Sequence, residues 1–230
     1  MQYVQDADPD VVCLQEVNQS GIDFVVPLLE EQGYRCFCSA SNETVARSLL
    51  VVTAVRGRTG AVRSPRWSVS SHAHQHLLVE YEEILIANAH VPNASGNGRM
   101  IKQEHFSFLM NIMDDLRDHP ALVCGDLNSP KSESGGRYLG WDASLPTRTE
   151  HQFWAGLHGF GFRDAVIETN GSEHGLISHV NSKGPIRRYD HLLVSERIQV
   201  IGKVEYDTRS HVLPGLSDHA PLQAQIEKVG

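Results

Sequence analysis

Runs of consecutive apolar residues recur along the chain and predict strands that are buried on both faces. Such runs are typical of strands packed between two layers, because neither face of the strand meets water. The segments with this pattern are 11–14, 48–53 and 121–124, and strands are also predicted over 83–90 and 188–195. Two further segments alternate apolar and polar residues, which is typical of a strand with one solvated face. These are 67–81 and 222–226.

Three segments instead carry apolar residues at helical spacing. The longest follows residue 98 and places Phe106, Leu109, Met110, Met113 and Leu116 on one face. A second helix is predicted over 22–32, with its regular part beginning near Pro27 and its end at Gly33. A short third helix is predicted over 150–158. Strands outnumber helices, and two packed sheets with outer helices satisfy that pattern.

The strand 121–124 runs directly into two polar residues, Asp126 and Asn128. Burying a carboxylate and an amide at a strand end costs free energy unless both have partners. The two residues are two positions apart, so their side chains point the same way on an extended chain. A hard cation and a phosphate oxygen would suit this pair. An Asx turn, in which both side chains bond local backbone, explains the same residues, and this segment alone does not decide between them.

Composition and charge are those of an ordinary globular protein. The chain has 230 residues, 40% of them hydrophobic, and carries a net charge of −8. No linker or repeat is evident, so one domain over residues 1–230 is predicted. No apolar run approaches the roughly 20 residues of a membrane span, and the polar start does not resemble a signal peptide. The four cysteines are interpreted as free thiols, which favours a reducing, cytoplasmic location.

Five stretches resemble, in the same chain order, the motifs of the endonuclease/exonuclease/phosphatase superfamily, which includes deoxyribonuclease I and exonuclease III. One is Asp-Val-Val-Cys-Leu-Gln-Glu, and a second is Gly-Asp-Leu-Asn. A third is Leu-Ser-Asp-His-Ala-Pro near the carboxyl terminus. Each motif is weak alone, but five in order are specific. The five stretches are 10–16, 87–93, 121–130, 188–195 and 216–221.

The resemblance implies a four-layer α/β/β/α sandwich with the site where strand ends of both sheets meet. It also implies phosphodiester hydrolysis that depends on Mg²⁺ or Mn²⁺. Glu16 is then the principal metal carboxylate, and Asp218 is a further ligand. A salt bridge to a nearby arginine is the alternative explanation for Glu16. Hard oxygen ligands dominate this set, so zinc is not the expected catalytic ion.

The resemblance also implies roles in proton transfer and phosphate binding. His219 would take a proton from water while Asp190 orients its ring, although a purely structural Asp–His contact is the alternative. Asp126 would position the water and Asn128 would donate to the phosphate. His90 would donate to a phosphate oxygen or the leaving group. The full set of predicted catalytic residues is His219, Asp190, Asp126, Asn128 and His90.

The favoured substrate is nucleic acid, with DNA preferred, and the expected state is a monomer without membrane contact. Asn93 is predicted to bind phosphate. Arg99, Lys102 and Arg188 flank the motifs and could follow a phosphate backbone, or they could belong to the ordinary solvated surface. Ser178 and His179 stand where apurinic endonucleases carry bulky aromatics, which argues against a specialised abasic-site pocket. The alternatives are a phosphoesterase for lipid headgroups or small phosphoesters, and a catalytically impaired binding domain.

Family members carry an earlier strand with a metal-binding Asn before the stretch that corresponds to 10–16. No such strand is evident in this sequence. The chain is therefore expected to be truncated at its amino terminus. We expect it to be less stable, and weaker in metal binding, than a version extended upstream by an intact strand, because the loss of a strand exposes the edges of its neighbours.

Overall fold

A computed structural model describes residues 2–39, 49–57, 61–62, 73–93, 98–129, 147–172, 176–181, 184–208 and 217–229 of the chain. The chain divides into two compact units. Unit 1 consists of residues 1–90 and 122–125, and unit 2 consists of residues 91–121 and 126–230. The prediction of a single domain stays a prediction. Among the described helices, none is long and apolar enough to cross a membrane.

Unit 1 places two helices on a three-stranded sheet, which packs in turn on a second sheet. The helices are α1 (Gln2–Ala7) and α2 (Gln19–Glu31). The antiparallel sheet has the order β1-β3-β2, with β1 (Val11–Val17), β2 (Tyr34–Cys38) and β3 (Leu50–Arg56). The other sheet runs β4-β5-β6-β7, with β4 (Ala61–Val62), β5 (His76–Tyr81), β6 (Ile84–His90) and β7 (Ala121–Asp126), of which 122–125 belong to this unit.

Strand β3 is the centre of unit 1 because both of its faces are covered. On one face, Ala54 packs with Leu29 of α2 and Tyr34 of β2. On the other face, Val51 and Val55 pack with apolar residues of β5. The run of apolar residues that predicted this strand is therefore explained by burial on both sides.

Two predicted boundaries in unit 1 are wrong. Helix α2 begins at Gln19 and not near Pro27, because the Asn18 side chain accepts a 2.8 Å hydrogen bond from the Gly21 N–H and caps the helix there. The predicted strand 67–81 is also shorter. Ala73–Gln75 form a 3-10 turn and the strand starts only at His76, while residues 67–72 lie outside the described part.

The described residues of unit 2 form three α-helices and three antiparallel strand pairs. The helices are α3 (Gly98–Leu116), α4 (Arg148–Gly156) and α5 (Ala165–Asn170). The strands are β8 (Phe162–Asp164), β9 (His179–Asn181), β10 (Gly184–Arg187), β11 (Asp190–Ser195), β12 (Ile198–Tyr206) and β13 (Leu222–Lys228). They pair as β8 with β11, β9 with β10, and β12 with β13.

The helices of unit 2 follow from local signals in the sequence. Helix α3 buries the predicted apolar face and packs on α4 through an edge-on contact of Phe106 with Phe153, whose ring centroids are 5.0 Å apart. A capping box of Thr147 and Glu150 starts α4. Helix α5 begins after Asp164, because the Asp164 carboxylate accepts from the N–H groups of Val166 and Ile167 and caps the helix there.

One glycine, Gly125, allows β7 to pack closely against β6 in unit 1. Gly125 has a φ of +128°, and a Cβ built on it would lie only 2.0 Å from the carbonyl oxygen of Ala89 in β6. Neither the backbone angle nor the available space admits a side chain. The glycine before Asp126 is therefore a requirement of strand packing.

We expect Gly125→Ala to lower the free energy of unfolding by about 2 to 4 kcal/mol, because backbone strain and the clash with Ala89 add. Gly202→Ala is the matched control: its φ is +72° and nothing lies within 4 Å of the added methyl group. It should cost only about 1 kcal/mol. Urea denaturation of both variants measures the difference, and equal losses would refute the packing argument.

Candidate active site

Asp126 and Asn128 face each other at the end of β7. Asp126 is buried, and its Oδ1 accepts a 2.7 Å hydrogen bond from the Asn128 N–H. Its Oδ2 accepts a 2.9 Å bond from Asn128 Nδ2, which also donates to the carbonyl oxygen of Val91 at 2.9 Å. The local bonds of the Asx-turn interpretation are thus present. Both hydrogens of the Asn128 amide have acceptors, so its Oδ1 is the atom suited to an external cation.

A buried ion pair of Lys102 and Glu150 holds the Asn128 peptide in place. The Lys102 ammonium donates to the Asn128 carbonyl oxygen at 2.6 Å and lies 3.0 Å from Glu150 Oε1. The other Glu150 oxygen accepts from the Thr147 N–H at 2.7 Å. Lys102 is 5% exposed and Glu150 is 2% exposed. Lys102 therefore does not track a phosphate backbone, as one interpretation of the sequence had it. Instead it fixes Asn128, whose φ is +47°.

Ser129 is held by two further side chains that sequence reasoning did not identify, the partly exposed Trp154 and the buried His191. The indole Nε1 of Trp154 donates to Ser129 Oγ at 3.1 Å, and His191 Nε2 lies 2.8 Å from the Ser129 carbonyl oxygen. Leu127 adds a backbone bond to the carbonyl oxygen of Tyr189 at 3.0 Å. The segment from Asp126 to Ser129 is consequently anchored at each residue within unit 2.

His219 and Asp190 form the predicted pair. His219 Nδ1 lies 2.7 Å from Asp190 Oδ2, and His219 Nε2 lies 3.9 Å from Asp126 Oδ2. The Asp190 backbone is fixed because its N–H donates to Ser178 Oγ at 3.0 Å and its carbonyl oxygen accepts from Tyr206 Oη at 2.6 Å. The imidazole ring therefore has one defined orientation, with one nitrogen on Asp190 and the other toward Asp126.

Acidic neighbours change the proton affinity of His219. Burial by itself would lower the pKa of His219, but the hydrogen bond to Asp190 and the charges of Asp190, Asp126 and Asp218 raise it to about 9. The imidazole is therefore protonated at neutral pH in the metal-free protein. Three carboxylates around one imidazolium make this part of unit 2 a strongly negative environment.

Arg188 lies apart from this pair. Its guanidinium is 3% exposed and donates to both carboxylate oxygens of Asp164, at 3.2 and 2.8 Å. Burial would raise the pKa of Asp164, but the nearby His191 and the hydrogen bonds and charge of Arg188 hold it far below its ordinary value. This burial and pairing argue against the predicted role of Arg188 in substrate binding. The arginine is a structural counter-ion.

Glu16 and His90 are brought together in unit 1. The pairing register of β1 with β3 shifts between Leu14 and Val17, and Glu16 has a φ of +57° at this bulge. The bulge turns the Glu16 side chain outward, where it is 57% exposed. Its Oε1 lies 3.2 Å from Nε2 of His90, which is buried. The structure thus places His90 against the predicted metal carboxylate.

A buried amide pair that sequence reasoning missed anchors the same strand. Gln15 Nε2 donates to Asn88 Oδ1 at 2.8 Å, and Asn88 Nδ2 donates to the carbonyl oxygen of Val52 at 3.0 Å. Asn88 thereby ties β6 to both β1 and β3. The signal in the sequence was an Asn inside an apolar run, two positions before His90.

The remaining predicted residues are at the surface of unit 2. Asn93 and Arg99 are exposed and are accessible to a ligand. The Asp218 side chain is 70% exposed, with Oδ2 at 3.5 Å from His179 Nε2. Unit 2 therefore brings together Asp126, Asn128, Asp190 and His219, with Asp218 next to His219 in the chain.

Comparisons with known proteins agree with this picture. The profile of the Endonuclease/Exonuclease/phosphatase family matches residues 1–219. An exodeoxyribonuclease III from Haemophilus influenzae is 23% identical over 254 residues, which cover 97% of this chain and 92% of that protein.

Two solved structures are also similar. One is a 3′ phosphatase from Neisseria bound to a product DNA hairpin, with a TM-score of 0.79 at 18% identity, covering 98% of this chain and 92% of the other. The second is an AP endonuclease from Archaeoglobus fulgidus, with a TM-score of 0.77 at 18% identity, covering 97% and 91%. These likenesses confirm the predicted deoxyribonuclease I-like α/β fold.

By class, the protein is a hydrolase that acts on phosphodiester bonds. Specifically, the chain belongs to the Endonuclease/Exonuclease/phosphatase family, as the five motifs predicted.

In metal-free protein we expect His219 to titrate near pH 9, and Asp190→Asn to lower that pKa by about 1 to 2 units because it removes a hydrogen-bonded charge. Proton NMR of the imidazole in the presence of EDTA measures this, with His219→Gln assigning the signal. The folded-state pKa lies above the ordinary 6.5. The stabilisation from this proton is therefore full below pH 6.5 and is lost as pH rises through 9. An unchanged pKa in Asp190→Asn would contradict the assignment.

Proposed function

We propose that this protein is a divalent-metal-dependent nuclease that hydrolyses phosphodiester bonds of DNA through water activated by His219 and Asp190. The observation that carries the proposal is the 2.7 Å contact between His219 Nδ1 and Asp190 Oδ2, with Nε2 directed toward the buried Asp126. A polarised imidazole between two carboxylates is the arrangement that a general base requires.

The donor chemistry fits Mg²⁺ or Mn²⁺. In unit 1 Glu16 offers an exposed carboxylate, and in unit 2 Asp218 offers another, with further oxygens from Asp126 and Asn128. Each unit thus carries the oxygen ligands that hard cations prefer. When bound, such a cation would offset the charge of the carboxylates and polarise the phosphate. Because zinc favours nitrogen and sulfur donors, we do not expect it to be the catalytic ion.

Within this mechanism His219 takes the proton of the attacking water through Nε2, and Asp190 stabilises the imidazolium that forms. In the metal-free protein His219 already carries a proton at neutral pH, because its pKa is about 9. A cation held by the surrounding carboxylates would offset part of their charge, and the unprotonated imidazole would then be available as a base. Asp126, at 3.9 Å from Nε2, is placed to orient the same water.

Two roles predicted from the sequence change with the geometry. Because both amide hydrogens of Asn128 are already donated, we assign its Oδ1 to the cation and not its Nδ2 to the phosphate. His90 contacts Glu16, so we assign it a positioning role: its Nε2 orients the metal carboxylate.

The relatives favour DNA as the substrate, since one is an exodeoxyribonuclease and another was solved with a DNA hairpin. Exposed Asn93 and Arg99 are the proposed phosphate contacts of unit 2. A net charge of −8 argues that any polyanion is held by local contacts and the cation, not by the field of the whole protein. A cytoplasmic monomer stays a prediction.

One experiment compares the hydrolysis of plasmid DNA with the hydrolysis of bis(p-nitrophenyl) phosphate. The comparison distinguishes this function from a lipid or small-molecule phosphoesterase and from an inactive binding domain.

We expect His219→Ala to lower the turnover of both substrates by about 100-fold or more, the usual contribution of a general base. Asp190→Asn should lose nearly as much while the protein stays folded by circular dichroism. His158→Ala is the control, because this exposed histidine lies in the 3-10 turn after α4 and should leave turnover unchanged. Near-wild-type turnover in His219→Ala would remove the pair from the mechanism.

We expect Glu16→Gln to weaken Mg²⁺ binding by at least about tenfold, because an exposed carboxylate ligand loses its charge. Isothermal calorimetry measures the affinity. The control is Glu227→Gln, which changes an exposed carboxylate in β13 and keeps the net charge equal between the two variants. If both variants bind Mg²⁺ like the wild type, Glu16 is not a ligand.

A further inference from the structure

His179 has no part in the proposed reaction, yet it lies against the catalytic histidine. It pairs with His219 as an isolated antiparallel bridge. On either side of that bridge the Val180 N–H donates to the carbonyl oxygen of Asp218 at 2.9 Å, and the Ala220 N–H donates to that of Ser178 at 2.7 Å. The two imidazole rings are therefore held together by backbone, with centroids 4.7 Å apart.

Asp218 completes a cluster of three possible metal ligands. His179 Nε2 lies 3.5 Å from Asp218 Oδ2. One donor atom each from His179, Asp218 and His219 lies within 4.8 Å of the other two. In a tetrahedral zinc site with bonds of about 2.0 to 2.1 Å, ligand atoms are about 3.4 Å apart. The distance of 3.5 Å between His179 Nε2 and Asp218 Oδ2 is close to this value, and a donor atom of His219 lies within 4.8 Å of both.

The chemistry of the three donors selects the ion. Two imidazoles and one carboxylate are a usual ligand set for Zn²⁺, whereas Mg²⁺ seeks oxygen ligands only. Asp218 is mostly exposed and both rings are partly exposed, so an ion can enter from solvent. Asp190 holds His219 Nδ1, which is the carboxylate–histidine arrangement that orients zinc-binding imidazoles.

We propose that His179, Asp218 and His219 form a zinc site, and that Zn²⁺ bound there inhibits the enzyme by occupying its base. Binding displaces the proton of His219 and engages Nε2, so the ring no longer accepts a proton from water. It also withdraws Asp218 from Mg²⁺. The inhibition rests on the proposed function, but zinc binding itself does not.

The binding experiment uses Zn²⁺ alone, in competition with a fluorescent chelator, on the full chain. The wild type should bind one Zn²⁺ through this cluster, and His179→Gln should bind it at least about tenfold more weakly. His158→Gln is the control, since it removes an exposed histidine outside the cluster. Co²⁺ should give the visible absorption of a tetrahedral site in the wild type only. His179→Phe repeats the test with a ring that can still pack on Tyr189, should the Gln variant be unstable.

The inhibition experiment measures Mg²⁺-dependent hydrolysis of bis(p-nitrophenyl) phosphate while Zn²⁺ is titrated. Wild type and His179→Gln should hydrolyse at the same rate without Zn²⁺. Zn²⁺ should then inhibit the wild type at a concentration at least about tenfold lower than the concentration that inhibits His179→Gln. Equal zinc affinity and equal inhibition in the two proteins would overturn the proposal. If the wild type proves inactive, the proposed function fails on its own, and the chelator competition still decides the zinc site.

Discussion

The contact between the Lys102 ammonium and the Asn128 carbonyl oxygen is the constraint on which the candidate site of unit 2 depends. Asn128 adopts a left-handed backbone conformation, which an L-residue with a side chain adopts only at a cost in free energy. A charged donor at 2.6 Å holds the peptide in that conformation. Glu150 in turn neutralises the buried ammonium. Removing either partner would leave an uncompensated charge in the interior, a loss of about 3 to 5 kcal/mol.

His219 and His191 differ in proton affinity, and their carboxylate neighbours, Asp190 and Asp164, have different partners. Asp190 pairs with His219, and their hydrogen bond raises the proton affinity of a partly exposed imidazole. Asp164 instead pairs with Arg188, which is permanently charged. His191 is fully buried, and this burial lowers its pKa. The same Asp–His combination therefore gives an imidazole with a raised pKa in one place and a structural anchor with a lowered pKa in the other.

Much of the fold and of the site could be predicted because its signals are local. Apolar runs located β3, β7 and β11, and short motifs located Glu16, Asp126 and His219. The anchors were missed because Lys102, Trp154 and His191 reach the segment 126–129 from positions far away in the chain. The exception is Glu150: Thr147 and Glu150 have the spacing of a capping box, which the sequence does reveal. Arg188 resembled a phosphate contact because its buried partner Asp164 carries no motif.

The charges around His219 in unit 2 favour the cation of the proposed function. Asp126, Asp190 and Asp218 all raise the pKa of one imidazole, so three carboxylates face one positive charge among these four described side chains. A phosphodiester brings a further negative charge, and at separations near 4 Å each like-charge pair costs several kcal/mol at the effective dielectric of a protein surface, about 4 kcal/mol at a dielectric of 20. Neither Lys102 nor Arg188 can offset this repulsion, since each is already paired in the interior. In the function we propose, a divalent cation would supply the missing charge and would lower the proton affinity of His219 at the same time. Substrate binding and base activation would then be coupled to the same ion.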